Sequence, residues 1–204
     1  MELQIKNIGK DFAERRIFDD INFSLKSGQS AAIVGPNGSG KTTLAKIICG
    51  LIRPSRGEVI YRIENTPIPQ QEIYHHVGLV GPYLELYEEL TAMENMLFFA
   101  RMQRVPNAED KIISLLSQMN LAGREDDEVR TYSSGMRQRL KYAFALLTDP
   151  QVLILDEPTS NLDSDGIDRV YAIMTEQKKN KILLIATNDK MDLKYGDIQV
   201  AVTS

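Results

Sequence analysis

Cysteine is nearly absent from this chain, and so are the features that would put it in a membrane or on nucleic acid. A single cysteine, Cys49, among 204 residues excludes an internal disulfide framework. It falls in an apolar stretch of helical spacing, so it is expected to be a small core residue and not a reactive thiol. No apolar run approaches the ~20 residues that span a bilayer; the best, Val152 to Leu155, is strand-sized and ends in carboxylates. The opening Met1-Glu2-Leu3-Gln4-Ile5-Lys6 lacks the basic and apolar layout of a signal peptide. A cytoplasmic protein is therefore expected, with any membrane role arising through a partner. Positive charge is not in excess either: the formal net charge is −4, which leaves no basic face for a nucleic-acid partner. No internal repeat or low-complexity segment is present. The only two histidines, His75 and His76, are adjacent in a stretch that reads as a strand; they would point to opposite faces and could not hold one metal. What remains is ordinary for a globular protein, 43% hydrophobic and 25% charged, enough for one large domain or one domain with an inserted subdomain.

The chain is organised around Gly35-Pro36-Asn37-Gly38-Ser39-Gly40-Lys41-Thr42-Thr43. This fits G-x-x-x-x-G-K-[ST], the phosphate-binding loop of nucleoside triphosphatases. Ala31, Ala32, Ile33 and Val34 lead in as a buried strand, and Leu44, Ala45, Ile47 and Ile48 lead out at helical spacing. The glycines let successive N–H groups curl around an anion, and the following helix adds its dipole. Lys41 would bridge the β- and γ-phosphates, and Thr42 would offer its hydroxyl to magnesium.

Before the loop, Leu3, Ile5 and Ile8, then Ile17, Ile21, Phe23 and Leu25, predict short strands. Phe12 stands alone in a polar stretch between them, open to two readings: a core contact of the hairpin, or a platform for an adenine ring. After the loop a strand is expected over Glu58 to Ile63, a loop from Asn65 to Gln71, and a strand from His75 to Val80. From Thr91 the period becomes helical, with Thr91 and Glu94 as a capping box. A second helix follows Pro106-Asn107, and Glu125 to Glu128 reads as a solvated loop. Ser133-Ser134-Gly135 opens a further helix, and by itself that is an ordinary cap. Val152-Leu153-Ile154-Leu155-Asp156-Glu157 reads as a buried parallel strand with acids at its C-terminal end, where open α/β sheets place their ligand chemistry. Ser160 to Asp163 then leads into a helix, and Ile182 to Ala186 is another buried strand, ending at Thr187-Asn188.

The phosphate loop, the Ser-Ser-Gly-Met helix start and the Asp-Glu strand, in that order, resemble the ATP-binding cassette (ABC) ATPases over essentially the whole chain. Gly35 to Thr43 is similar to the family's Walker A motif, and Tyr132 to Met136 to its signature sequence, with Tyr for Leu and Ser for the first Gly. Val152 to Glu157 resembles Walker B with the catalytic glutamate, and Ser160 to Asp163 the D-loop. The resemblance implies an α/β P-loop NTPase core with a mixed sheet, an N-terminal antiparallel β subdomain and an inserted α-helical subdomain. One cassette over 1–204 would divide into a nucleotide-binding core at 1–81 and 148–204 and a helical insertion at 82–147 containing the signature helix. It also places Phe12 at the adenine-stacking position and implies a head-to-tail dimer holding two ATP molecules. In that dimer Ser133, Ser134 and Gly135 of one subunit cap the γ-phosphate held by the other's loop, with Asp163 in the D-loop beside it. Thr42 and Asp156 would hold Mg2+, and Glu157 would polarise the attacking water.

Two positions depart from the family's pattern. Pro82 stands where the Q-loop glutamine is expected, so that water, Tyr83 or Glu85 would have to replace its contact. Asn188 stands where the switch histidine is expected, able to donate to the γ-phosphate but not to carry a proton. The signature style resembles small exporter-type cassettes, among them the haem-exporter subunit and the ABC-2 class. The implied function is an ATPase powering a separate integral-membrane permease as a homodimer or heterodimer, peripheral at the inner face of the membrane. Tyr83, Leu84, Leu86, Tyr87, Phe98 and Phe99 are candidate docking residues, about half of which helix periodicity would instead assign to the helical core. The alternative is a nucleotide-gated interaction module with weak hydrolysis.

Overall fold

A computed structural model describes residues 1–13 and 15–203. β1 (Glu2–Phe12) and β2 (Arg15–Lys26) pair antiparallel, with Leu3 opposite Leu25 and Ile5 opposite Phe23. Strand alternation turns Leu3, Ile5 and Leu25 into the core. β3 (Ser30–Val34) runs into the phosphate loop and α1 (Lys41–Ile48), and β4 (Arg56–Ile63) returns to the other edge of β1. β5 (Thr66–Pro67) adds two residues to β4 within the expected loop.

The expected strand over His75 to Val80 is shorter. Gln70–His75 forms a 3-10 helix after Pro69, anchored by buried Ile73, and β6 covers only Val77–Val80. The two histidines therefore sit at the end of that helical turn and not on opposite faces of a strand. The proline presets the turn, and Ile73 supplies its one buried contact.

α2 (Ala92–Met102) opens on the capping box, with Glu94 N–H donating to Thr91 Oγ1 at 3.0 Å and Thr91 N–H to Glu94 Oε2 at 2.8 Å. α3 (Ala108–Gln118) and α4 (Ser134–Leu146) complete the helical part. β7 (Val152–Asp156), α5 (Ser164–Asn180), β8 (Ile182–Ala186) and β9 (Ile198–Ala201) follow.

The two kinds of pairing are segregated rather than mixed. One sheet has the order β2-β1-β4-β5 and is antiparallel, and the other has the order β6-β7-β8-β3-β9 and is parallel throughout. β7 is buried on both faces, and its alternation divides the core. Leu153 and Leu155 pack with Met96, Leu116, Leu140 and Met174, on the side of the inserted helices. Val152 and Ile154 pack with Leu44, Ile48 and Tyr61, on the side of α1 and the N-terminal sheet. Asp156, two residues beyond Ile154, inherits the face of α1. Among the described residues no helix is long and apolar enough to cross a membrane.

Candidate nucleotide site

The parallel order β6-β7-β8-β3 brings four chain segments to one sheet edge: Gly81 to Tyr83, Asp156-Glu157, Thr187-Asn188 and the phosphate loop. This is the C-terminal edge, where strands of an open α/β sheet release their ligand-binding loops.

In the phosphate loop the Ser39 N–H donates to Pro36 O at 3.1 Å, and Lys41 Nζ donates back to Gly35 O at 2.9 Å. Lys41 is buried, while Pro36, Asn37 and Gly38 are exposed. Gly40 precedes α1 at φ 107, and a Cβ there would lie 2.5 Å from Ile17 Cγ2 and 2.8 Å from Phe18 Cδ1. Only glycine meets both demands, the left-handed backbone and the close approach of β2. Thr42 and Thr43 fall in the first turn of α1 and are partly exposed. Ser39 Oγ is buried with no protein partner.

Asp156 is 1% exposed, and neither carboxylate oxygen has a hydrogen-bond partner. Burial pushes its carboxyl above the usual carboxylate range, against the pull of the Thr42 hydroxyl and the ammonium groups of Lys41 and Lys46. A buried carboxylate with both oxygens free, beside a threonine hydroxyl, fits magnesium. That ion takes one or two carboxylates, keeps part of its water shell and completes its octahedron with phosphate oxygens. Among the described residues there is no cluster of three or more His, Cys, Asp or Glu that would hold a metal by protein ligands alone.

Glu157 is half-buried and adopts φ 52, a left-handed conformation that is strained for a non-glycine residue. Its N–H donates to Ala186 O at 2.8 Å, locking it beside β8. Burial raises its carboxyl; Lys41 opposes, and the negative charges of Asp156, Asp192 and Asp189 add to the rise. A raised carboxylate near the phosphate loop is suited to take a proton from water.

Asn188 is exposed and its Nδ2 donates to Asn37 Oδ1 at 2.9 Å. Beneath it lies a group that periodicity did not reveal. Asp192, 1% exposed, accepts from Thr187 Oγ1 at 2.9 Å, Tyr171 OH at 3.1 Å and Thr159 Oγ1 at 3.3 Å. It ties the loop after Glu157 to the loop after β8. In sequence Asp192 is one acid in a polar run, with nothing to mark it.

The remaining expected residues belong to other elements. Ser133 is the N-cap of α4, accepting from Met136 N–H at 3.2 Å, and Ser134 is exposed. A Cβ on Gly135 would lie 3.4 Å from Asn161 O, so the α4 start abuts the loop before α5. Ser134, Arg137, Lys141 and Asn161 line a cavity of about 220 Å³ to which no phosphate-loop residue contributes. Asp163 caps α5, accepting from Gly166 N–H at 2.8 Å. Phe12 is 48% exposed with Lys10 Nζ 4.6 Å from its ring centroid, so it is not the core contact that one reading allowed.

Pro82 is exposed, and Tyr83 turns inward in its place. Lys46, four residues after Thr42 and so on the same helix face, holds its Nζ 3.8 Å above the Tyr83 ring. Cys49 caps the end of α1, half-buried, with burial pushing its thiol up to about 11. Of the six docking candidates, Leu84 and Phe99 line an apolar cavity of about 360 Å³ with Leu51, Tyr74 and Phe144. Tyr87 and Phe98 are exposed and meet edge to face at 6.0 Å, and Leu86 packs against the helical core.

This is the fold and loop set of an ATP-binding cassette. Residues 18–160 match the ABC transporter family, and the chain belongs to it. It is 40% identical over 168 residues to the uncharacterized ABC transporter ATP-binding protein YhcH of Bacillus subtilis, covering 82% of this chain and 55% of YhcH. The lantibiotic transport ATP-binding protein SrtF of Streptococcus pyogenes is 32% identical over 186 residues, 91% of this chain and 79% of SrtF. A solved dimeric ATP-binding cassette in a post-hydrolysis state with ADP and Pi superposes with a TM-score of 0.82 at 25% identity, over 99% of this chain and 97% of that one.

Proposed function

We propose that this chain is a Mg2+-dependent ATPase subunit that powers a separate membrane permease. The observation that supports it best is Asp156 with two unpaired buried oxygens, flanked by Glu157 in a strained conformation and facing Lys41 and Thr42. Each of these groups is costly to bury or strain alone, and each is used by a triphosphate. Gly35 to Thr43 cradle the phosphates through backbone N–H groups, and Lys41 leaves its loop carbonyls for the β- and γ-phosphates. Thr42 and Asp156 would hold Mg2+, whose charge offsets that developing on the phosphates. Glu157 orients a water and takes its proton as the water oxygen bonds the γ-phosphorus. The bond from that phosphorus to the β-phosphate oxygen breaks, leaving ADP and inorganic phosphate.

Ser134, in the cap that opens α4, lines a cavity to which no part of its own phosphate loop contributes. It is available to a second cassette's nucleotide, which favours a head-to-tail dimer, as a homodimer or with a different cassette, with Asp163 at the seam. The post-hydrolysis cassette with ADP and Pi is dimeric. Exposed Phe12 would stack the adenine, and Asn188 would donate to the γ-phosphate. The nucleotide core is taken as 1–81 and 148–204 and the helical insertion as 82–147. The apolar cavity between Leu51, Leu84 and Phe99, with Tyr87 and Phe98 beside it, is the surface for the permease. It would hold the chain at the membrane's inner face. The Nod factor export ATP-binding protein I of Bradyrhizobium diazoefficiens, 35% identical over 194 residues, favours export as the direction.

Phosphate release by the purified chain with Mg2+ and ATP tests this. Turnover abolished by both Lys41→Ala and Glu157→Gln supports the ATPase. ATP binding without turnover in the unaltered chain, joined to capture of a soluble partner only, would favour a nucleotide-gated module.

A further inference from the structure

The loop after β6 holds a polar atom that the phosphate chemistry above does not use. The Tyr83 hydroxyl is buried and has no hydrogen-bond partner. A buried phenol is ordinarily paired, because leaving it unsatisfied forfeits its hydration without return. Tyr142 and Tyr61, both fully buried, show the normal case, donating to Pro158 O and Ile48 O at 2.7 Å.

Three features fix the ring. Gly81 leaves room for it, since a Cβ there would lie 2.9 Å from Tyr83 Cζ. The Lys46 ammonium sits 3.8 Å from the ring centroid on the opposite element, α1. β6 and β7 are adjacent and in register, Val80 opposite Leu155, so that Gly81 and Asp156 end neighbouring strands. Burial raises the phenol far above its usual range, and the negative charge of Asp156 is the next contributor. The phenol thus keeps its proton and has one donor and its lone pairs to offer. Tyr83 OH, in the loop after β6, and both oxygens of Asp156, at the end of the neighbouring β7, are buried without partners.

We propose that Tyr83 is a positioning residue for the metal–nucleotide complex, its hydroxyl hydrogen-bonding the water shell of Mg2+ held at Thr42 and Asp156. Tyr83 then does from one residue further along the loop what exposed Pro82 cannot. The Lys46 clamp makes this contact report on α1, and Leu84, the next residue, lines the apolar cavity. Metal binding and the proposed permease surface are joined through two consecutive residues. This inference rests on the nucleotide reading above.

The test is titration calorimetry of a non-hydrolysable ATP analogue into the full chain, with Mg2+ and separately with EDTA. Tyr83→Phe keeps the ring, its Lys46 contact and its packing. The expected result is that the variant's Kd in EDTA stays that of the unaltered chain, while the tightening caused by Mg2+ shrinks about five- to tenfold, the loss of one hydrogen bond. Full Mg2+ tightening in Tyr83→Phe overturns the proposal. Equal weakening with and without metal also overturns it, showing a structural ring only. If the unaltered chain binds the analogue in neither condition while its thermal melt shows it folded, the nucleotide reading itself falls and this inference with it.

Discussion

Asn188 and Asn37, 151 positions apart in the chain, join side chains through a 2.9 Å hydrogen bond across the mouth of the phosphate loop. Both are exposed, so the bond is worth little to stability. Under the function proposed above its value is geometric: it would hold the Asn188 amide toward the γ-phosphate. Asn188→Ala is expected to change stability by less than ~0.5 kcal/mol and to lower ATP turnover about tenfold, the loss of one ordinary hydrogen bond in the transition state. Asn188→His, which adds a group able to carry a proton near neutral pH, is expected to raise turnover. Phosphate-release rates check both, and equal rates in all three proteins would remove Asn188 from the chemistry.

Burial lifts Glu157 above the ordinary glutamate range. A base must be ionised, so turnover should be full above this raised pKa and fall as pH drops through it, with the acid limb above the usual glutamate value. A pH profile of phosphate release under saturating ATP checks this. Glu157→Gln should abolish the limb together with most of the rate; a limb retained in that variant would belong to another group.

Tyr142 donates to Pro158 O from full burial, tying α4 to the loop that follows Glu157. Tyr142→Phe leaves that carbonyl unpaired and should destabilise the fold by about 1–3 kcal/mol. Urea unfolding should show a lower midpoint at an unchanged slope. An unchanged midpoint would mean that the bond contributes nothing net.

Gly40→Ala imposes a left-handed backbone on a residue whose Cβ meets Ile17 Cγ2 at 2.5 Å. Strain and overlap should cost about 2 kcal/mol or more and weaken ATP binding, since α1 and Lys41 must shift. Melting temperature and equilibrium nucleotide binding check the two effects separately. Tight binding by a destabilised variant would show that the loop tolerates the shift.

Local patterns were legible because short-range physics writes them. The phosphate loop needs glycines at set intervals, the start of α2 needs Thr91 and Glu94 three apart, and β7 and β8 need unbroken apolar runs because both faces are covered. The candidate residues of the phosphate loop and of the β7 end were expected from the same local patterns, whereas Pro82 and Asn188 stood out only against the family resemblance. The segment from Asn65 to Val80 was less so, since a 3-10 turn held by Pro69 and a single buried Ile73 has no periodicity to display. Tertiary structure alone decided what meets across the sheet edge. Strand order, not spacing, puts Asn188 against Asn37, and gathers Thr159, Tyr171 and Thr187 around Asp192. The face that Asp156 presents follows from β7's alternation only once the two cores are in place, and Tyr83 turns inward because Gly81 leaves room beneath it and Lys46 waits above. Side-chain direction in a loop is set by such neighbours, and these come from distant parts of the chain.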